Sequence, residues 1–275
     1  MTGLLGLHGG GEFEPGDEPF LEAVLRHAEA AAGAAAESAA AGAGTAESAQ
    51  AAGTAAESAQ AAGVVRIVIV PTASARGRPD IAGALGVAAL ERVAGALRIE
   101  ASAEVVRVQD AGSAADPELA RRLAAAHLIH LPGGDPDLIP GLLPGTAVWM
   151  SIMAAVARGA VLVGASAGAM GLASWTWTPE GGARGLAVVP GPPLVVMPHA
   201  DGASWPRSLM RFGAGVPEGV GILGIAEHTG VLIDALGEGP WRVVGEGEVR
   251  WSTAGADPMR PAVYRDGDAF RPSDG

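Results

Sequence analysis

Short runs of Val, Ile and Leu, each closed by turn residues, set the narrowest limits on how this 275-residue chain can fold. They are Leu4–Leu7, Val64–Val70, Glu104–Val108, Leu128–Leu131, Val161–Gly164, Leu194–Met197, Ile222–Ile225, Val231–Ile233 and Val243–Trp251. Apolar runs of this length without strict alternation are the pattern of strands buried on both faces of a sheet. Helical segments lie between them. Glu18–Ala28 gathers Phe20, Val24 and Leu25 on one side, and Pro79–Leu97 is long and apolar-periodic. Asp116, Pro117 and Glu118 supply an N-cap, an N1 proline and an acidic first turn. Thr146–Ala157 ends near Arg158 and Gly159. Strands alternating with helices predict an α/β fold, a mostly parallel sheet with helices on both faces.

The end of the chain departs from that rhythm. Trp241–Trp251, turning at its glycines, reads as a C-terminal β-hairpin, and the Pro/Asp/Gly-rich stretch from about 258 to 275 reads as a loose tail. No strong linker divides the chain, so one α/β domain over residues 1–275 is expected, an ordinary size for a single core. An Ala-rich stretch at about 29–63 carries two near-identical units, Thr45–Gly53 and Thr54–Gly63. Their spacing is too short for a solenoid repeat. A tolerated insertion is the reading preferred over a partner-binding helix or a spacer, because loop-closure cost rises slowly with length.

Composition removes much chemistry. All 18 basic residues are arginine, and cysteine is absent. Mechanisms that need a Schiff-base lysine, a P-loop lysine, a thiolate nucleophile or a thiolate metal site are excluded. A formal net charge of -12 argues against phosphate-backbone binding. The N-terminus lacks the basic flank of a secretory signal. The uncharged stretch Gly159–Pro179 is broken by glycines and hydroxyls, so it fits a strand–turn–helix better than a bilayer span. A cytoplasmic protein without nucleic-acid or membrane partners is expected. No His-Glu-x-x-His or similar spacing points to a metal, and Gly9–Gly11 does not complete a dinucleotide-binding Gly-x-Gly-x-x-Gly motif. No cofactor is expected.

In open α/β sheets, ligands and chemistry gather beyond the carboxyl ends of the strands. Val161–Met170 runs from a buried strand through Gly164-Ala165-Ser166-Ala167-Gly168 into a small-residue helix, the arrangement of a nucleophile elbow. There the Ala167 amide would face a developing oxyanion. The plain alternative, a serine that only caps the helix, carries equal weight on the fragment alone. Leu131-Pro132-Gly133-Gly134-Asp135-Pro136 offers the Gly134 amide as a second oxyanion donor, or is simply a turn. Among six histidines, His199 is favoured because it directly follows the strand Leu194–Pro198. His8 and His228 are rivals, His27 and His127 read as structural, and His130 as a core residue. Glu180 and Glu227 both stand where a triad acid could be drawn from, and spacing does not decide between them.

Taken in order, several motifs resemble peptidase family S51, the group that contains cyanophycinase and the aspartyl dipeptidase peptidase E. They are His8–Glu12, Val68–Ser74, Leu131–Pro136, Gly164–Ala169, Gly185–Gly191 with the strand before His199, Gly224–Gly230 and Val244–Val249. The resemblance implies a fold similar to class I glutamine amidotransferases and hydrolysis of peptide or isopeptide bonds through an acyl-enzyme. It implies Ser166 as nucleophile and His199 as base, with the Gly134 and Ala167 amides as the oxyanion hole. Glu180 would orient His199, leaving Glu227, with Asp135, to the substrate pocket. Arg207 and Arg211, spaced i, i+4, would clamp a substrate carboxylate or else form a solvated helix face. Met197 and Pro198 stand where cyanophycinases carry an Asp-Gln pair, so cyanophycin itself is not the expected substrate. A small, aspartyl-containing peptide is the expected partner, and a homodimer is the assembly considered. The alternative is a binding protein that keeps the fold without catalysis.

Overall fold

Apolar runs from the first two-thirds of the chain lie side by side as parallel strands. The computed structural model describes residues 3–43, 63–178, 181–213, 215–237 and 239–272. Strands β1 (Leu4–His8), β2 (Val65–Ile69), β3 (Ala101–Val105), β4 (Leu128–Leu131) and β5 (Val161–Ala165) run parallel in the order β3-β2-β4-β5-β1. Beyond β1 the sheet continues antiparallel through β10 (Thr229–Asp234), β11 (Trp241–Gly245) and β14 (Ala269–Phe270).

Alternating residues of these strands feed opposite faces, as the pleat requires. Leu4, Val161 and Val163 pack against α1 (Glu18–Ala43) and α2 (Pro79–Leu97) through Phe20, Val24, Leu90 and Val93. Leu5, Leu7 and Leu162 face the opposite way. They meet α3 (Ala111–Ala115), α4 (Pro117–Ala124) and α6 (Ala147–Ala157) through Ala114, Leu123, Val148 and Ile152. Burial on both sides is why β4 and β5 carry no polar alternation apart from His130. The short α5 (Leu138–Leu142) and α7 (Ala167–Leu172) sit after β4 and β5. Asp116 accepts from the amides of Glu118 and Leu119 with Pro117 in the first turn, as the sequence predicts.

A second sheet holds β6 (Trp175–Thr178), β7 (Gly181–Arg184), β8 (Leu194–Met197), β9 (Gly221–Ile225), β12 (Val249–Ser252) and β13 (Ala262–Tyr264), in the order β13-β12-β9-β8-β6-β7. β6, β8 and β9 are parallel to one another. Leu194, Val196, Leu223 and Trp251 of this sheet share one apolar core with the first.

The C-terminal region differs from the sequence reading. Trp241–Trp251 is not a hairpin: β11 joins the first sheet and β12 the second. The C-terminal β-hairpin is instead β12 with β13, where Val249 pairs with Tyr264 and Trp251 with Ala262. The tail is also not loose through residue 272, because β14 pairs with β11 and Phe270 is buried, stacked on Tyr264 at 4.2 Å. The Ala-rich stretch does not begin as a separate insertion. Helix α1 continues into it as far as Ala43, with Ala28, Ala31 and Ala32 packed on the core. Alanine's helix propensity carries the largely exposed remainder. Most of the two repeated units lies outside the described residues.

His130 occupies an apolar position of β4. It is buried against Phe13, with ring centroids 4.7 Å apart, and its Nδ1 has no hydrogen-bond partner. Burial, aided by nearby His8, pushes its pKa down to about 3. The unfolded chain therefore takes up this proton first, and stability falls as the pH drops from about 6.5 toward 3. His127 adds to the same trend, its pKa held down to about 4 by burial and then by Arg66. Substituting His130→Leu is expected to flatten, without abolishing, the loss of denaturation midpoint across that window. An unchanged slope would contradict the assignment.

Candidate active site

Strand β5 ends at Ala165 and α7 begins at Ala167, so Ser166 alone makes the turn between them. Its backbone sits at φ 49°, ψ -113°, a conformation L-residues avoid and that persists only when the surroundings impose it. The flanking glycines follow from packing. A Cβ on Gly164 would lie 2.7 Å from the Gly168 backbone, and one on Gly168 would run into the Leu131 carbonyl. Ser166 caps no helix amide, so the capping alternative is set aside. Its Oγ lies 3.1 Å from Nε2 of His199.

His199 follows β8, and its Nδ1 lies 2.8 Å from Oε1 of Glu227. A carboxylate at Nδ1 fixes the proton there, which leaves the Nε2 lone pair to accept the serine hydroxyl. The acid in this place differs from the one the resemblance pointed to. Glu180 lies outside the described residues, and Glu227, assigned from sequence to the substrate pocket, fills the position against His199. Register explains it: β8 and β9 are parallel neighbours with Met197 opposite Gly224, so residues just past both ends emerge side by side. The His199 and Glu227 side chains are each 48% exposed, open enough for a substrate to reach.

The Gly-rich turn after β1 proves to be the cradle of this site. Consecutive carbonyls of His8, Gly9 and Gly10 accept from the amides of Ser166 (2.9 Å), His199 (2.8 Å) and His228 (2.9 Å). A side chain on Gly10, at φ 122°, would collide with the His199 ring. The turn is anchored below by a buried pair, His8 Nε2 and Asp17 Oδ1 at 2.8 Å, while Asp17 Oδ2 accepts from the Phe13 amide. His8 is thus a scaffold residue. His228 lies 3.8 Å from Glu14, and the histidine that Ser166 Oγ meets is His199.

Gly133 backs onto the nucleophile, since a Cβ there would lie 3.2 Å from Cβ of Ser166. Its amide donates to Oε1 of Glu12 at 2.8 Å, and its carbonyl accepts from Oγ of Ser74 at 2.6 Å. Neither Glu12 nor Ser74 was singled out from sequence as a side chain of the site, although both stand in the matching motifs at strand ends. Asp135 is half-exposed and lies 3.9 Å from Arg76, which pairs with Asp137. Arg207 and Arg211 are exposed on α8 (Trp205–Phe212), four residues apart. This helix is held near His199 by Ser204 Oγ, which donates to the His199 carbonyl at 2.7 Å. Among the described residues no cluster of His, Asp or Glu could hold a metal ion, and no helix is long and apolar enough to cross a membrane.

Fold and site together define a two-sheet α/β protein with a strand–serine–helix elbow facing a His–Glu pair. The sequence profile of peptidase family S51 matches residues 34–235, and the chain belongs to this family. In fold it is similar to a peptidase from an acI-B1 Actinobacterium, at 22% identity and a TM-score of 0.71, over 98% of this chain and 97% of that one. A putative peptidase E from Listeria monocytogenes EGD-e aligns over 90% of this chain and 99% of its own, at 14% identity and a TM-score of 0.49. No curated protein matches the chain.

Proposed function

We propose that the chain is a serine-type peptidase that hydrolyses short peptides through an acyl-enzyme. The observation that carries this reading is the unbroken line from Ser166 Oγ through His199 to Glu227, with contacts of 3.1 and 2.8 Å. Oγ attacks the scissile carbonyl carbon while Nε2 takes its proton. The C–N bond then breaks as the imidazolium returns that proton to the leaving amine. Water, deprotonated by the same nitrogen, releases the acyl group and restores the serine. Glu227 keeps the imidazole in the required tautomer and offsets its positive charge. The Gly134 and Ala167 amides receive the oxyanion in both halves of the reaction.

The finer proposal is that the peptides contain aspartate, whose carboxylate meets Arg207 and Arg211 on the helix that follows His199. Cyanophycin is not proposed, because the fully buried Met197 offers no polar group to a substrate arginine. The test is an assay of purified protein on Asp-X, Glu-X, Ala-X and β-aspartyl-Arg dipeptides. Release of free amino acid from Asp-X above the others is the expected result. Cleavage of none would sink the peptidase reading, leaving a binding protein. A preference unaltered by Arg207→Ala together with Arg211→Ala would sink the aspartyl part alone.

A further inference from the structure

An oxyanion hole built on Gly133–Gly134 has a weakness in its own chemistry. Neither residue carries a Cβ, so the peptide group between them can rotate with little steric penalty. That one group holds the Gly133 carbonyl and the Gly134 N–H, pointing in opposite directions across a trans bond. Rotation would replace the oxyanion donor with a carbonyl oxygen, which repels a developing negative charge. Something must therefore decide which way this peptide faces.

We propose that Ser74 and Glu12 are the positioning residues that hold the Gly133–Gly134 peptide so that the Gly134 N–H faces Ser166; this rests on the serine-peptidase reading above. Ser74 Oγ donates to the Gly133 carbonyl at 2.6 Å, so it grips the oxygen of the peptide whose N–H is needed. Its own backbone is fixed in a one-turn 3-10 helix, Thr72–Ser74, directly after β2, with the Ser74 amide on the Pro71 carbonyl. Glu12 holds the preceding peptide by accepting from the Gly133 amide at 2.8 Å. On the far side the Asp135 amide donates to the Ala73 carbonyl at 2.7 Å. The groups around the Gly133–Gly134 peptide are thereby tied down, and among the described residues the Gly134 N–H itself donates to nothing. Neither Ser74 nor Glu12 is given a bond to make or break. Their effect passes through the backbone.

Steady-state kinetics of the intact protein on its best dipeptide test this. Losing an oxyanion donor outright costs about 10²–10³ in turnover, so a donor left free to rotate should cost less. Ser74→Ala is expected to lower kcat roughly 10- to 100-fold with KM changed by less than about threefold, and to weaken a peptide boronate inhibitor in parallel. Ser74→Thr keeps the hydroxyl and should restore most of the rate. Glu12→Gln, which keeps the shape and an acceptor oxygen, should lie between wild type and Ser74→Ala. Several results would overturn the proposal: unchanged kcat in Ser74→Ala, a loss confined to KM, or failure of threonine to rescue. A rate gain in Glu12→Gln would instead make Glu12 a plug on a donor amide. If Ser74→Ala does not fold, the threonine and Glu12 variants still decide. Inactive wild-type protein would defeat the peptidase reading itself, whereas active wild type with an indifferent Ser74 defeats only this inference.

Discussion

Ser166→Ala is expected to abolish peptide hydrolysis, with kcat falling by roughly 10⁴- to 10⁶-fold while the protein keeps its fold. The magnitude follows from the roles. With no cysteine or lysine in the chain, no thiolate or amine can take over the attack. What remains is the oxyanion hole and substrate binding, which alone give only a small part of the acceleration. The fold should survive, because Ser166 caps no helix amide and the elbow is tied through its backbone, by the Ser166 amide to the His8 carbonyl. The strained φ of 49° stays with the position, so alanine inherits the same strain. Substrate affinity should change little. A residual rate above one part in a thousand would mean that the attacking group is elsewhere.

Glu227→Gln should cost nearly as much, about 10⁴-fold in kcat. An amide presents either its oxygen or its NH₂ to Nδ1. In the second case the imidazole proton moves to Nε2, and the nitrogen facing Ser166 can no longer accept. In either case the imidazolium formed during attack loses its counter-charge. Glu180→Gln is the matched control and should stay within about threefold of wild type, because the Nδ1 of His199 already has Glu227 as its carboxylate partner. The pair separates two assignments of the acid. A large loss in Glu180→Gln with an active Glu227→Gln would reverse the one favoured here.

The sequence already contained most of the fold and two of the three residues of the candidate triad. Fully buried strands such as Val161–Ala165 announce themselves by composition, and the strand–turn–helix around Ser166 is a local pattern. His199 was legible for the same reason, since it directly follows an apolar run. The acid was not, because Glu227 meets His199 only through the lateral pairing of β8 with β9, a relation that chain spacing does not carry. Trp241–Trp251 misled in a similar way. A glycine-rich turn between two apolar runs looks the same whether its arms pair with each other or enter different sheets. Glycines 9 and 10 were visible as a Gly-rich turn, but their purpose was not. Only the structure brings Ile225, Ala226 and the His199 ring close enough to forbid a side chain there. Ser74 and Glu12 escaped notice for want of partners in sequence: each acts on Gly133, 59 and 121 residues away.

The most direct test of Ser166 as nucleophile needs no knowledge of the substrate. Purified protein is treated with a small fluorophosphonate, and the adduct is located by mass spectrometry after proteolysis. The account predicts a single modification on Ser166, strongly slowed in Glu227→Gln and lost in Ser166→Ala. An unlabelled wild type, or a label that persists in Ser166→Ala, would contradict it.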